Sequence, residues 1–236
     1  NYDWFAPRVG LLWEQPDGTQ IYANLTRSVE APTFLELVQS PVPRFVDLDA
    51  QEAWTAEVGA RGQRGPFRYD VAAYRARLKG ELLNYVIIPN VPALSFNAED
   101  TVHQGIEAGL DWRLIQGASG RLTLRQTLTW SDFTFDGDAT YGDNRLPIIP
   151  EIAYRAELKY EHPAGWFVAP SIEWVPRDIY VDYANTLKYP GYSVLSLNAG
   201  VDLPGGVSLF ADLRNLTGEN YVSNANAVSD ARTAAT

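Results

Sequence analysis

Cysteine and methionine are both absent from the 236 residues, and only two histidines occur, His103 and His162, far apart in the chain. Without thiols there is no disulfide framework and no thiolate metal centre, and two isolated imidazoles give a zinc site nothing to build on. A chain with no use for thiols fits an oxidising compartment such as the periplasm. Positive charge is scarce as well: 19 Lys and Arg against 29 Asp and Glu leave a formal charge of −10. No basic run appears, so a nucleic-acid partner, which needs a clustered positive surface, is not expected. No apolar stretch approaches the roughly 20 residues of a membrane helix, so a chain of this kind crosses a bilayer with strands or not at all. An initiator Met and a signal peptide are also missing, which reads as a processed chain or a fragment.

What is plentiful is amphipathic aromatic surface, with 13 Tyr and 7 Trp in a composition that is 46% hydrophobic. Such rings suit a membrane–water interface, and carbohydrate-binding sandwiches are rich in them too. The stretch GYSVLSLNAGVDLPGGVSLFADLRNLTGENY (191–221) poses the choice sharply. Leu195, Leu197, Ala199, Val201 and Leu203 occupy alternate positions, as do Val207, Leu209, Ala211 and Leu213. The other face carries Ser196, Asn198 and Asp202, then Ser208, Phe210, Asp212 and Arg214. In a soluble sandwich the oily face turns inward to a core; in an outer-membrane barrel it turns outward to lipid and the polar face lines the lumen.

Ten such alternating runs recur, at about 7–14, 19–27, 51–62, 67–78, 102–115, 120–134, 151–161, 166–177, 192–203 and 206–214. Short turns rich in Gly, Pro and Asp close pairs of them at 15–18, 63–66, 116–119, 162–165 and 204–205, and longer connections separate the pairs at 28–50, 79–101, 135–150 and 178–191. Short turns at one end and long loops at the other describe an up-and-down transmembrane barrel, and runs this long exceed ordinary soluble strands. Within 102–115, Ile106, Ala108, Leu110, Trp112 and Leu114 oppose His103, Glu107, Asp111 and Arg113. Charges on an inward face are costly in a dry core and cheap in a watery lumen. None of the ten runs is apolar on both faces, as a soluble core strand would be. The alternation therefore predicts an all-β, antiparallel up-and-down transmembrane β-barrel with lipid on the oily face and Glu107, Asp111, Asp212 and Arg214 facing the lumen.

The motifs resemble the TonB-dependent outer-membrane receptors, in the C-terminal part of their barrel. FADLRNLTGENYV (210–222) is similar to the family's penultimate-strand signature, an Asn-Leu pair followed by a Tyr, and PGYSVLSL (190–197) to the strand entry before it. SVEAPTFLEL (28–37), EAWTAEVGARG (52–62), HQGIEAGLDWRL (103–114) and NRLPIIPEIAYRAEL (144–158) match further family motifs in order. Gln51 stands where the family usually has Pro, and Thr-Gly-Glu-Asn follows Leu216 in place of an acidic–basic pair, at 217–220. The resemblance implies a barrel of roughly 22 strands, of which residues 1–236 supply about ten. The N-terminal plug, the TonB-contacting segment, the earlier strands and the aromatic-ended last strand are missing, since the chain stops at ARTAAT. It further implies a bacterial outer-membrane location, lipid and the TonB energy-transducing complex as partners, and energised uptake of a small chelate, chiefly a ferric siderophore, with haem, cobalamin and oligosaccharides as family alternatives. No enzymatic constellation, no resident cofactor and no metal site is expected. The rival classes are an extracellular soluble β-sandwich, as in an adhesin or carbohydrate-binding module, and a passive porin.

For ligand contact the sequence offers polar and aromatic residues near strand tops and in loops: Arg27, Arg44, Tyr141, Arg145, Tyr180 and Tyr183. Arg suits carboxylate or catecholate oxygens, and Tyr stacks or donates a hydrogen bond. Asp132, Asp136, Asp138 and Asp143 cluster around FDGDATYGDN, but the spacing lacks the Glu at the twelfth position of a calcium-binding EF-hand, and an acidic loop is commonly just solvated. The sequons at Asn24 and Asn215 read as accidental ones inside strands.

Overall fold

The structure, a computed structural model, describes residues 4–39, 44–87 and 93–229, without the side chains of Gln39 and Arg44. In chain order the elements are β1 (Arg8–Glu14), β2 (Gln20–Glu30), α1 (Phe34–Leu37), β3 (Val38–Gln39), β4 (Arg44–Phe45), β5 (Gln51–Arg64), β6 (Phe67–Lys79), β7 (Leu82–Tyr85), β8 (Leu94–Asn97), β9 (Asp100–Gly117), β10 (Gly120–Phe135), β11 (Ile152–Glu161), β12 (Trp166–Val175), β13 (Ile179–Tyr180), β14 (Lys188–Tyr189), β15 (Tyr192–Leu203) and β16 (Val207–Leu213). Each of the ten runs expected from alternation is a strand of one antiparallel sheet, in the order β1-β2-β5-β6-β9-β10-β11-β12-β15-β16. The remaining strands form three two-stranded hairpins inside the long connections. β1 and β16 are the two edges, and among the described residues they do not pair with each other, so the sheet is not closed. No helix among the described residues is long and apolar enough to cross a membrane.

Register carries the alternation across the sheet. One row of paired residues reads Ile21, Ala60, Val71, Ala108, Leu128, Tyr154 and Trp174. The adjacent row, on the other face, reads Arg61, Asp70, Gly109, Thr127, Arg155 and Glu173. A one-residue slip would exchange the two sets, so burial or wetting of either face fixes register throughout. The apolar face is bare: Leu11 is 74% exposed, Val58 57% and Leu209 56%. An uncovered apolar surface of this extent is an aggregation hazard in water and a natural fit to hydrocarbon. A sandwich would lay a second sheet over it, and among the described residues there is none.

Two glycines let rings lie flat across the polar face. A Cβ on Gly59 would stand 2.4 Å from the Tyr22 ring, and one on Gly105 would stand 2.6 Å from the Tyr74 hydroxyl and 2.5 Å from the Trp130 carbonyl. Buried side chains gather at the end of the sheet from which the long connections emerge, in a cluster of Tyr85, Ala98, Phe135, Tyr141, Leu146, Tyr183 and Ala227.

The sequence expectation differs from the structure at Asn215, which lies beyond β16 rather than inside a strand. Its φ of 52° places it in the left-handed region. The side chain brackets the following turn, accepting from the Glu219 N–H at 2.8 Å and donating to the Glu219 carbonyl at 2.9 Å. Leu216 N–H donates back to the Leu195 carbonyl at 2.8 Å, and Tyr221 packs on Tyr192 with ring centres 4.7 Å apart. The Asn-Leu and Tyr signature is thus a device that folds the chain back onto β15.

Candidate functional site

The polar face is roofed at its loop end. Along β10 it carries Ser131, Phe133 and Phe135, so apolar rings replace polar groups as the strand rises. Phe135, 1% exposed, stacks on Tyr141 at 5.0 Å and meets Tyr183 edge-on at 6.0 Å. Tyr183 in turn meets Phe96 of β8 at 5.3 Å, and its hydroxyl donates to the Asn84 carbonyl at 2.8 Å. Three long connections, 79–101, 135–150 and 178–191, therefore share one aromatic core. Polar clasps hold the same layer. Asp182, 0% exposed, accepts from the Thr186 hydroxyl at 2.6 Å and the Leu187 N–H at 2.8 Å. Asn185 joins 178–191 to 135–150, accepting from the Arg145 N–H at 2.8 Å and donating to the Arg145 carbonyl at 2.9 Å. Glu81, 9% exposed, accepts from the Thr101 hydroxyl and sits 3.1 Å from His103 Nε2, whose ring stacks on Phe133 at 4.1 Å.

The residues singled out for ligand contact divide among three places. Tyr141 and Tyr183, 5% and 3% exposed, stand 5.7 Å apart inside the aromatic core. Arg145 and Tyr180 line one cavity of about 300 Å³ with Glu151, Arg177, Asp178 and Lys188. There Arg145 bonds Asp132 at 2.8 Å and lies 3.6 Å from Glu151. Lys188 bonds Asp178 at 2.8 Å, and that bond holds the Asp178 carboxyl below the usual carboxylate range and raises the Lys188 ammonium. Burial pushes the neighbouring Tyr189 phenol up. Arg27 lies in β2 and not in a loop, on the apolar-face side, where it pairs with Glu52 at 2.7 Å and donates to the Phe5 carbonyl. The side chain of Arg44 lies outside the described residues. The loop carboxylates are used locally: Asp138 accepts from the Thr140 and Tyr141 N–H groups at 2.8 and 2.9 Å, and Asp143 accepts from the Gly137 N–H at 2.9 Å.

Below the roof the polar face is a ladder of mixed charge. Arg125 lies 3.8 Å from Asp111 and 3.7 Å from Glu157, Arg121 bonds Glu161 at 2.7 Å, and Lys159 sits 4.8 Å over the Phe167 ring. Arg61, Arg68, Asp70, Asp111 and Arg125 surround a hollow of about 500 Å³. Glu107 shares this face with Asp111, four residues along β9, and Asp212 faces Asn198 across the β15–β16 pair while bonding Arg214 at 2.8 Å. An arrangement of paired, half-exposed charges wets a wall without presenting a single strong field.

A bare apolar face, a polar face of mixed charge, short turns at one end and folded loops at the other define a wall of a transmembrane barrel. The chain belongs to the TonB dependent receptor-like, beta-barrel family, which matches residues 1–216. It is an outer-membrane chain, of a family of receptors and transporters rather than enzymes. Among solved structures, it is similar to the copper transporter OprC (20% identity, TM-score 0.77, covering 95% of this chain and 36% of that one). It also resembles the siderophore receptor PiuA of Acinetobacter baumannii (19%, TM-score 0.70, 93% and 32%). A third is the ferric enterobactin receptor PfeA of Pseudomonas aeruginosa, a mutant solved with enterobactin (16%, TM-score 0.74, 95% and 37%). The chain spans about a third of the length of these structures.

Sequence reasoning did not find Glu81, Asp182 or Asn185, the groups that bind the roof together. One signal was present: Phe133 and Phe135 interrupt the polar face of β10, and a polar face that turns aromatic must be covered there.

Proposed function

We propose that this chain forms the later part of the barrel of a larger outer-membrane receptor, whose plug and earlier strands lie outside it, and that the receptor takes up a small metal chelate of the ferric siderophore class by energy transduced through TonB. The observation that carries this reading is the folded loop roof over a charged inner face in a chain of this family. A passive pore needs an open lumen, whereas three connections locked into one core favour a receptor that recognises its cargo. Convergence of separate loops on a cavity with a few polar groups is how a small-molecule site is built. We assign contact with the chelate to Arg145 and Tyr180, which meet at one cavity, and a supporting role to Tyr141 and Tyr183, which hold the loops. Glu107, Asp111, Asp212 and Arg214 then face the lumen. The composition favours a chelated hard metal over bare copper on this wall, because soft thiol and thioether ligands are absent and imidazole is nearly so.

The test is made in the intact receptor. Arg145→Ala with Tyr180→Ala should weaken binding of a ferric chelate at the cell surface by tenfold or more, about 1.4 kcal/mol, while the barrel stays folded and heat-modifiable on a gel. If binding of every iron chelate, haem and cobalamin tried were unchanged and a sugar-dependent growth phenotype were lost, the chelate reading would give way to a saccharide importer.

A further inference from the structure

On the apolar face the side chains change character abruptly where β5, β6, β9 and β10 approach the loops. The last wholly apolar row is Val58, Ala73, Ile106 and Trp130. The next reads Ala56, Arg75, Gln104 and Asp132, and the one above it Trp54, Arg77, Val102 and Thr134. Arg75 and Arg77 are exposed, while Ala76 and Leu78, between and beyond them on the opposite face, are buried under the loop roof at 9% and 8%. The two arginines thus point away from the lumen, on the side that meets lipid, in the rows directly above the apolar band.

Their charges are available. Arg75 donates to the neutral Gln104 Oε1 at 2.8 Å, and Arg77 has no ion pair among the described residues. The carboxylate of the lower row, Asp132, is held by Gln104 at 2.9 Å and Arg145 at 2.8 Å, and Glu52 is held by Arg27 at 2.7 Å. Asp100 and Asp136 lie further loopward, with Asp100 opposite Lys79. Trp54, 47% exposed, is the cross-strand partner of Arg77, and a hollow of about 880 Å³ beside them is lined by both, with the cations Arg27 and Lys79 and the carboxylates Glu52, Asp100 and Asp136 also on its wall. An indole next to an unpaired guanidinium at this height is an interfacial arrangement. Two guanidiniums two residues apart on one strand, about 7 Å, suit a phosphate, which they bind by forked hydrogen bonds.

We propose that Arg75 and Arg77, with Trp54 beside them, form a docking site on the outside of the barrel for a phosphorylated lipid headgroup in the leaflet on the loop side. The site needs only the membrane placement of the barrel and no particular cargo. Each cation near a charged membrane surface strengthens headgroup binding about fivefold. In the intact receptor, purified in detergent, Arg75→Gln with Arg77→Gln should weaken binding of dioleoyl phosphatidic acid about twentyfold, read by native mass spectrometry and by the lipid-induced rise in melting temperature. A matched pair on the other face, Arg61→Gln with Arg68→Gln, should leave lipid binding within twofold of the parent. Dioleoylglycerol, which lacks the phosphate, should bind both forms alike and weakly. Equal losses in the two pairs, no preference for phosphatidic acid over dioleoylglycerol, or an equal stabilisation by inorganic phosphate at the same concentration would each overturn the proposal. Chelate binding, measured on the same samples, bears only on the cargo.

Discussion

Asn215 shows how one side chain serves two needs. The turn after β16 requires a left-handed residue, and its open carbonyl and N–H at Glu219 require partners; Asn supplies both. Asn215→Ala should cost about 1 to 3 kcal/mol from strain and lost hydrogen bonds. Asn215→Gly, which relieves the backbone alone, should cost less; both are measurable as shifts in the unfolding midpoint of the receptor in detergent. Leu128 and Thr127 test face assignment in the same way. They are neighbours on the central strand β10, with Leu128 40% exposed on the apolar face and Thr127 lining the inner hollow. Leu128→Arg should cost about 2 to 4 kcal/mol in the membrane and Thr127→Arg much less. Equal costs would reverse the reading of which face meets lipid.

The loop roof is an element with its own stability. Phe135→Ala removes the ring that Tyr141 and Tyr183 pack against, and such truncations cost about 3 to 5 kcal/mol where the site cannot collapse. The expected outcome is a folded barrel whose connections 79–101, 135–150 and 178–191 become sensitive to protease together. Acid should loosen one of them selectively. Because the Asp178 carboxyl is held below its ordinary value by Lys188, the pair stabilises the β13–β14 hairpin fully above that ordinary value, near 4, and the contribution fades as pH falls through the lowered value. The effect is small because the pair is exposed, and Asp178→Asn should abolish the acid dependence of cleavage within 178–191. The ten strands were legible in the sequence because period-two alternation is local and Gly, Pro or Asp marks each of the five short turns that join the runs in pairs. The roof was not. Tyr141 and Tyr183 look like any loop tyrosines until the fold brings them, from separate connections, together with Phe135 and with Phe96 of β8, and nothing local to Arg27, the last residue of the run 19–27, shows that Glu52 of β5 takes its charge.

At the scale of the molecule the exposed edges matter most. β1 and β16 each present a row of backbone donors and acceptors with no partner strand in the described sheet, and lipid tolerates neither. The 236 residues expressed by themselves should therefore fail to insert as a monomer and should sediment as aggregates, and a soluble, cooperatively melting monomer would contradict the membrane reading. Within the sheet, each long strand pairs with the long strand that follows it in the chain, with short turns and long loops in strict alternation. The unit that a gene can add or lose without turning the sheet over is consequently one hairpin. Losing a single strand would carry every later loop to the wrong side of the membrane, whereas losing or duplicating two keeps all the others where they were. Barrels of this kind should change girth in steps of two strands over evolutionary time, and the breakpoints should fall in the long connections, where 28–50, 79–101, 135–150 and 178–191 already mark the seams.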